Sequence, residues 1–496
     1  MNIKEAKTQI KNTVKIYLKK NKLGGYEIPI ERQRPIFMIG APGIGKTEVM
    51  AQVAGELGIA LVAYSMTHHT RQSALGLPFI TKKKYGSQEY DVSEYTMSEI
   101  IASVYESIEA SGMSEGILFL DEINCVSETL APAMLQFLQY KVFGRCKVPE
   151  GWVVAAAGNP PEYNRSVREF DVVTLDRLKI LDVASDYKVW REYASSAGIH
   201  GSIISYLDIH GESEFYAMET TVKGKEYVTA RGWTDLSEAM KLCEDEGIDV
   251  DEPLISQYLR RPSTAKKFAV YYALYSKYKD YYKVKEILDG KAPAGVGAKL
   301  KNAKFDERLS FMGLMVEPLR SEIKAHMREF EILSNMVTSL RAVRESPSQE
   351  SFEKQIEKHS SRLNSLKAAN TLDPDNKHIL GNTLAMLNEY QKVFAAKETF
   401  KAVSSDYSKK AKAHDAETQK IKKRLENAFQ FIFNNLGEGH EMTLMVTDLT
   451  IDYYSSKFIA SYGCDEYFKY NKSLQINERE REINAELEKL TLEEAI

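Results

Sequence analysis

Residues 36–47 read Ile36-Phe37-Met38-Ile39-Gly40-Ala41-Pro42-Gly43-Ile44-Gly45-Lys46-Thr47. Four consecutive apolar residues suit a strand buried on both faces, and the run feeds directly into G-x-x-x-x-G-K-[ST]. That pattern binds phosphate when it joins a strand to a helix, because glycines let backbone N–H groups turn inward and the helix N-terminus adds its positive dipole end. Gly40, Ala41, Pro42, Gly43, Ile44 and Gly45 would form the cradle. Lys46 would reach the β- and γ-phosphates of ATP, and the Thr47 hydroxyl would ligate Mg²⁺.

Outward from this loop the same rhythm repeats. Apolar runs at 59–63, 117–120, 152–157 and 180–183 alternate with helical stretches, which predicts an α/β core with a parallel sheet over 35–190. Two polar stretches, 67–95 and 140–152, interrupt it and read as loops or hairpins at the rim of the sheet. Residues 1–34 read as an N-terminal helix and strap, with Ile3, Ile10, Val14 and Leu18 on one face and Gly24-Gly25 as the stop. A helical lid is expected over 191–290, and the Gly, Ala and Pro content of 291–300 reads as a linker. Residues 301–496 read as a further all-α domain. There Leu309, Met312, Val316, Leu319, Ile323, His326, Phe330, Leu333, Val337 and Leu340 form a heptad seam, Pro318 starts or kinks a helix, and Asp373 caps another.

The run Ile117-Leu118-Phe119-Leu120 ends in Asp121-Glu122. A carboxylate at that strand end can hold Mg²⁺, and its neighbour can polarise the attacking water, so Asp121 is the metal-side candidate with Thr47 and Glu122 the base. Acidic residues after strands also serve as helix N-caps; the phosphate loop is what gives this pair its meaning. Asn159, after Ala155-Ala156-Ala157-Gly158, can orient a water against the γ-phosphate, although taken alone it reads better as a turn residue before Pro160.

Taken together, GAPGIGKT, ILFLDEIN, AAGNP, TLDRLKI and TARGW occur in the order found in AAA+ ATPases, and the chain over about 30–290 resembles the MoxR group of their helix-2-insert clade. The resemblance implies that Asp121-Glu122 are the Walker B pair and Asn159 is sensor 1. It also implies that Arg177 is an arginine finger presented to a neighbouring subunit, and that Arg231 is sensor 2 in the lid. Residues 71–92 would be the helix-2 insert and 141–150 the pre-sensor-1 hairpin. Leu178 and Ala230 stand where the family often has Phe and Pro, so Arg165 or Arg168 could share or replace the finger role. A structural arginine before a strand is the competing reading of Arg177. The family further implies a homo-oligomeric ring, a hexamer, that remodels or matures a protein client with a von Willebrand factor A domain partner.

Composition sets the remaining bounds. The 496 residues carry 66 Lys and Arg against 70 Asp and Glu, a formal charge of −4, and 43% are hydrophobic. That excludes disordered, collagen-like and disulfide-scaffold classes, and it offers no global positive field for nucleic acid. The four cysteines form no C-x-x-C, so no zinc site or disulfide framework is expected, and a cytoplasmic protein without a membrane span is. Tyrosines and lysines interleave over 258–285, which a nucleic-acid motor could use; their helical spacing favours a packed lid helix instead. The other alternative is a nucleotide-gated scaffold, against which Glu122 argues, since a pure switch needs no base.

Overall fold

The computed structural model describes residues 1–471, apart from 71, 73, 75, 144–145, 164–166, 168–169, 222–223 and 398. Nine strands lie in the first 183 residues: β1 (Ile36–Gly40), β2 (Ala60–Ser65), β3 (Pro78–Tyr85), β4 (Gln88–Tyr95), β5 (Gly116–Asp121), β6 (Val142–Phe143), β7 (Cys146–Lys147), β8 (Trp152–Gly158) and β9 (Lys179–Val183). Five of them form one sheet in the order β2-β5-β8-β1-β9, every neighbouring pair parallel. The five apolar runs of the sequence are these five strands. All seven residues of β8, the central strand, are buried, and the small side chains of Ala155, Ala156 and Ala157 suit a strand with layers packed on both faces. The two polar interruptions hold antiparallel hairpins, β3–β4 and β6–β7.

Helices α1 (Ile3–Tyr17), α2 (Lys46–Leu57), α3 (Glu99–Ser111) and α4 (Ala131–Tyr140) accompany the sheet. A capping box starts α1, with Asn2 and Glu5 exchanging side-chain and backbone hydrogen bonds. Its apolar face, Ala6, Ile10 and Val14, is fully buried, and Lys7 and Lys11 pair with Glu56 of α2. The opening helix is therefore part of the core's own packing. A cluster that includes Phe37, Leu118, Leu120, Met134, Phe137 and Ala156 fills the space between sheet and helices.

The longer helices that follow are α5 (Ala230–Glu246), α6 (Pro262–Tyr282), α7 (Phe305–Glu345), α8 (Gln349–Ala368), α9 (Pro374–Lys397) and α10 (Phe400–Leu436). They do not divide at residue 300. Among the described residues, one compact unit comprises 1–189, 229–231 and 335–397; the other comprises 190–228, 232–334 and 399–471. The segment 291–300 is not a bare linker: Val296–Asn302 is helical, and Val296 and Leu300 are buried in the core of the second unit. Pro318, expected to start or kink a helix, lies inside the continuous α7, which leaves the kink as its reading. Of the described residues after 300, those at 335–397 cluster with the first unit and the others with the second.

In the second unit the heptad seam packs as expected through Leu309, Met312, Val316, Leu319, Ile323, His326 and Leu333, while Phe330 stays 40% exposed. Four of the tyrosines of α6 are engaged in packing or hydrogen bonds, while Tyr281 is exposed. Tyr275 and Tyr282 are buried, Tyr271 hydrogen-bonds Ser310, and Tyr272 donates to Glu244.

In the first unit, α8 and α9 form a hairpin beside the sheet. Strand β2 is an edge strand, and the backbone groups of Leu61 point away from β5. The Leu61 N–H donates to the Ala369 carbonyl (2.9 Å), and Asn370 Nδ2 donates to the Leu61 carbonyl (3.1 Å). Ser365 Oγ donates to the Ser111 carbonyl at the end of α3 (2.6 Å). The turn after α8 thus covers the edge that an isolated sheet would leave open.

Candidate active site

The phosphate loop runs from the end of β1 into α2. Gly43 and Gly45 have φ of 75° and 95°, a left-handed backbone that suits glycine. Space also dictates glycine: a Cβ on Gly40 would lie 2.5 Å from the Val183 carbonyl, and one on Gly43 would lie 2.9 Å from Thr229 Cβ. Residues 229–231 therefore sit directly on the loop. The Arg231 N–H donates to the Gly43 carbonyl (3.2 Å), and its exposed guanidinium acts electrostatically on Lys46.

Lys46 is buried at 8% exposure. Its ammonium donates to the carbonyls of Gly40 (2.7 Å) and Ala41 (2.9 Å) and to Asn159 Oδ1 (2.9 Å). Burial pushes its pKa down to about 8; the Asp121 carboxylate pulls upward, and the Arg231 charge pushes further down. A cation held this way is poised to gain an anionic ligand.

Asp121 and Glu122 follow β5. Thr47 Oγ1 donates to Asp121 Oδ2 (2.6 Å), which brings together the hydroxyl and carboxylate expected on the metal side. Among the described residues there is no cluster of three or more His, Cys, Asp or Glu able to hold a metal unaided. A hydroxyl beside one carboxylate still fits Mg²⁺, which takes its other ligands from phosphates and water. Glu122 has φ of 55°, unusual for a residue with a side chain, and its N–H donates to Asp121 Oδ1 (2.9 Å). That turn sends the carboxylate toward the end of β2, where Ser65 Oγ and Thr67 Oγ1 each lie 3.3 Å from Glu122 Oε2.

Lys46, Thr47, Asp121, Glu122 and Asn159 thus converge at the C-terminal ends of β1, β5 and β8, with Arg231 at the loop. Arg177 stands apart from these contacts: it is exposed and donates Nη1 to Gln139 of α4 (2.6 Å). Arg165 and Arg168 lie outside the described residues. Ser65 and Thr67 were not expected at the site. Hydroxyls after a strand are too common to signal anything by spacing, and only the parallel pairing of β2 with β5, Ser65 opposite Asp121, places them.

Among the described residues no helix is long and apolar enough to cross a membrane. No curated protein matches this chain. Residues 35–178 match the family model of the AAA domain, dynein-related subfamily. The match begins one residue before β1 and ends one residue before β9, so it spans the phosphate loop, the acid pair and Asn159. The residues that carry the phosphate loop, the acid pair and Asn159 thus match an AAA domain, which supports an ATPase, and beyond them the chain is mostly helical, with one antiparallel hairpin at Ala217–Thr221 and Gly224–Val228.

Proposed function

We propose that this protein is a Mg²⁺- and ATP-dependent AAA+ ATPase of the MoxR type that works as a ring, a hexamer, and remodels or matures a protein client. The observation that carries the reading is the convergence of Lys46, Thr47, Asp121, Glu122 and Asn159 on one phosphate loop. Lys46 and the loop N–H groups bind the β- and γ-phosphates. Thr47 and Asp121 would hold Mg²⁺, which neutralises charge on the phosphate oxygens. Glu122 accepts a proton from the attacking water, Asn159 orients that water, and Arg231 reads the nucleotide from the lid side.

The order of the five motifs supports the MoxR assignment, and with it the client and a von Willebrand factor A domain partner. The exposure of Arg177 supports a role outside its own site, since a finger must reach a neighbour's γ-phosphate. Exposed Val172 and Val173, five and four residues before it, offer apolar surface for that neighbour.

A mixing experiment tests ring and finger together. Arg177→Ala should lower ATPase by about 10³-fold or more while leaving nucleotide affinity intact. Glu122→Gln subunits are inactive at their own site but still carry Arg177, so adding them to Arg177→Ala subunits should restore part of the hydrolysis. No restoration in rings shown by mass to be mixed would reject the trans role.

A further inference from the structure

We propose that Asn124 is a positioning residue for hydrolysis, acting through Asn159 on Lys46. The argument starts where β5 and β8 stop pairing. Their register runs to Leu120 opposite Ala156, after which β5 turns away through Asp121 and the left-handed Glu122. Asn159, one residue beyond β8, is buried at 9% exposure, so its N–H and C=O need partners that the sheet no longer supplies.

Asn124 supplies both. Its Nδ2 donates to the Asn159 carbonyl (2.8 Å), and its Oδ1 accepts from the Asn159 N–H (3.3 Å). The amide, itself buried at 6% exposure, replaces one rung of the missing ladder. Two hydrogen bonds to the same residue fix the rotation of its backbone and hence the direction of its side chain. That side chain meets the Lys46 ammonium through Oδ1 at 2.9 Å. Asn124 also lies two residues after Glu122, so one side chain ties the strand end that carries the proposed base to the strand end that carries Asn159.

Gly158 has its explanation here. A Cβ at that position would lie 2.6 Å from Asn124 Oδ1, 2.7 Å from Cγ and 2.9 Å from Nδ2. Its φ is outside the left-handed region, so what demands glycine is the space the Asn124 amide occupies. Asn124 and Gly158 form one device, and neither reveals it by sequence spacing.

This inference rests on the ATPase reading of the site, and the two fail differently. Absence of Mg²⁺-dependent ATP hydrolysis by the unaltered chain would sink the reading of the site. With hydrolysis established, Asn124→Ala should lower kcat by about tenfold or more with KM and nucleotide affinity nearly unchanged, because misplacing a reacting group costs rate before binding. Asn124→Asp keeps the shape and the acceptor but removes the donor to the Asn159 carbonyl, and should also lower kcat. Gly158→Ala should act like Asn124→Ala by displacing the amide, and the double variant should be no worse than the poorer single one, since the clash disappears with the amide. Retained binding of a fluorescent ADP analogue marks each variant as folded. Wild-type kcat in Asn124→Ala or Asn124→Asp, a loss confined to affinity, or multiplicative losses in the double variant would overturn the assignment.

Discussion

Strand β2 is held at its two ends by different chemistry. At its C-terminal end Ser65, with Thr67 just beyond, touches the Glu122 carboxylate among titratable groups and a buried ammonium. Four residues earlier, Leu61 is held by the Ala369 carbonyl and the Asn370 amide, neither of which ionises. The first end belongs to a site where charge placement decides rates. The second belongs to a sheet edge where unpaired backbone would decide stability and association. The six residues of one strand thus join the chemistry to a helical hairpin that arrives some 300 residues later in the chain.

Glu122→Gln should give the largest separation between the two ends. The amide keeps the shape of the side chain and can still meet Ser65 and Thr67, but it cannot take a proton. Turnover should fall by about 10²- to 10⁴-fold while ATP binding and thermal stability persist. Phosphate release and a melting curve on the same preparation check it. ATP hydrolysis at the wild-type rate would mean that the base lies elsewhere, and a large drop in melting temperature would mean that Glu122 acts as a structural tie for β2.

The next effect is graded by pH. Burial holds Lys46 down at about 8, well below the ordinary lysine value of 10.5. Raising pH through 8 removes the charge that phosphate needs, so ADP affinity should fall by up to about tenfold per pH unit above it. The sign for the nucleotide-free protein is opposite. The unfolded chain binds the extra proton between pH 8 and 10.5, so this lysine makes stability rise with pH across that window. Titrations with a fluorescent ADP from pH 7 to 9.5 read the first effect; a flat affinity would place Lys46 outside the phosphate site. No ionisable side chain contributes at the Leu61 end, so the edge contacts should not follow pH at all.

Legibility divides along the same strand. The phosphate loop, Asp121-Glu122 and the five strands could be read from sequence because each is specified within a few residues: an apolar run, then the polar group the strand end presents. Ser65 and Asn124 could not, since they reach the site only through pairing of β2, β5 and β8, and pairing is written in no local pattern. The helices of the described C-terminal residues are legible, and so is the seam, buried at most positions though not at Phe330, because burial on one face imposes a period. Its partition was not legible. Asn370 in the turn after α8 looks like any helix terminator, and Ala and Pro in 291–300 look like a linker although Val296 and Leu300 are buried. A chain cut near Gly297 would keep every motif of the site, yet it would lose residues 335–397 from the unit that carries the phosphate loop.

The smallest expected effect on rate comes from Asn370, and it tests whether the two ends of β2 are independent. Asn370 has φ of 53°, so Asn370→Ala adds backbone strain to the loss of its hydrogen bond, whereas Asn370→Gly takes the same conformation freely and loses the bond alone. Leu61 is 5% exposed, and its carbonyl would be left without the Asn370 donor. Such an orphaned acceptor costs about 1–3 kcal/mol. Both variants should therefore melt earlier than wild type, Ala earlier than Gly, with ATPase per folded molecule unchanged at 25 °C. Deleting the hairpin altogether should go further and make the protein associate, because β2 would then expose the N–H and C=O of Leu61 to any passing strand. If Asn370→Gly instead slows hydrolysis without shifting the melt, the hairpin speaks to Glu122 through β2. The edge contact would then be a control element of the ATPase and no longer a cover for its sheet.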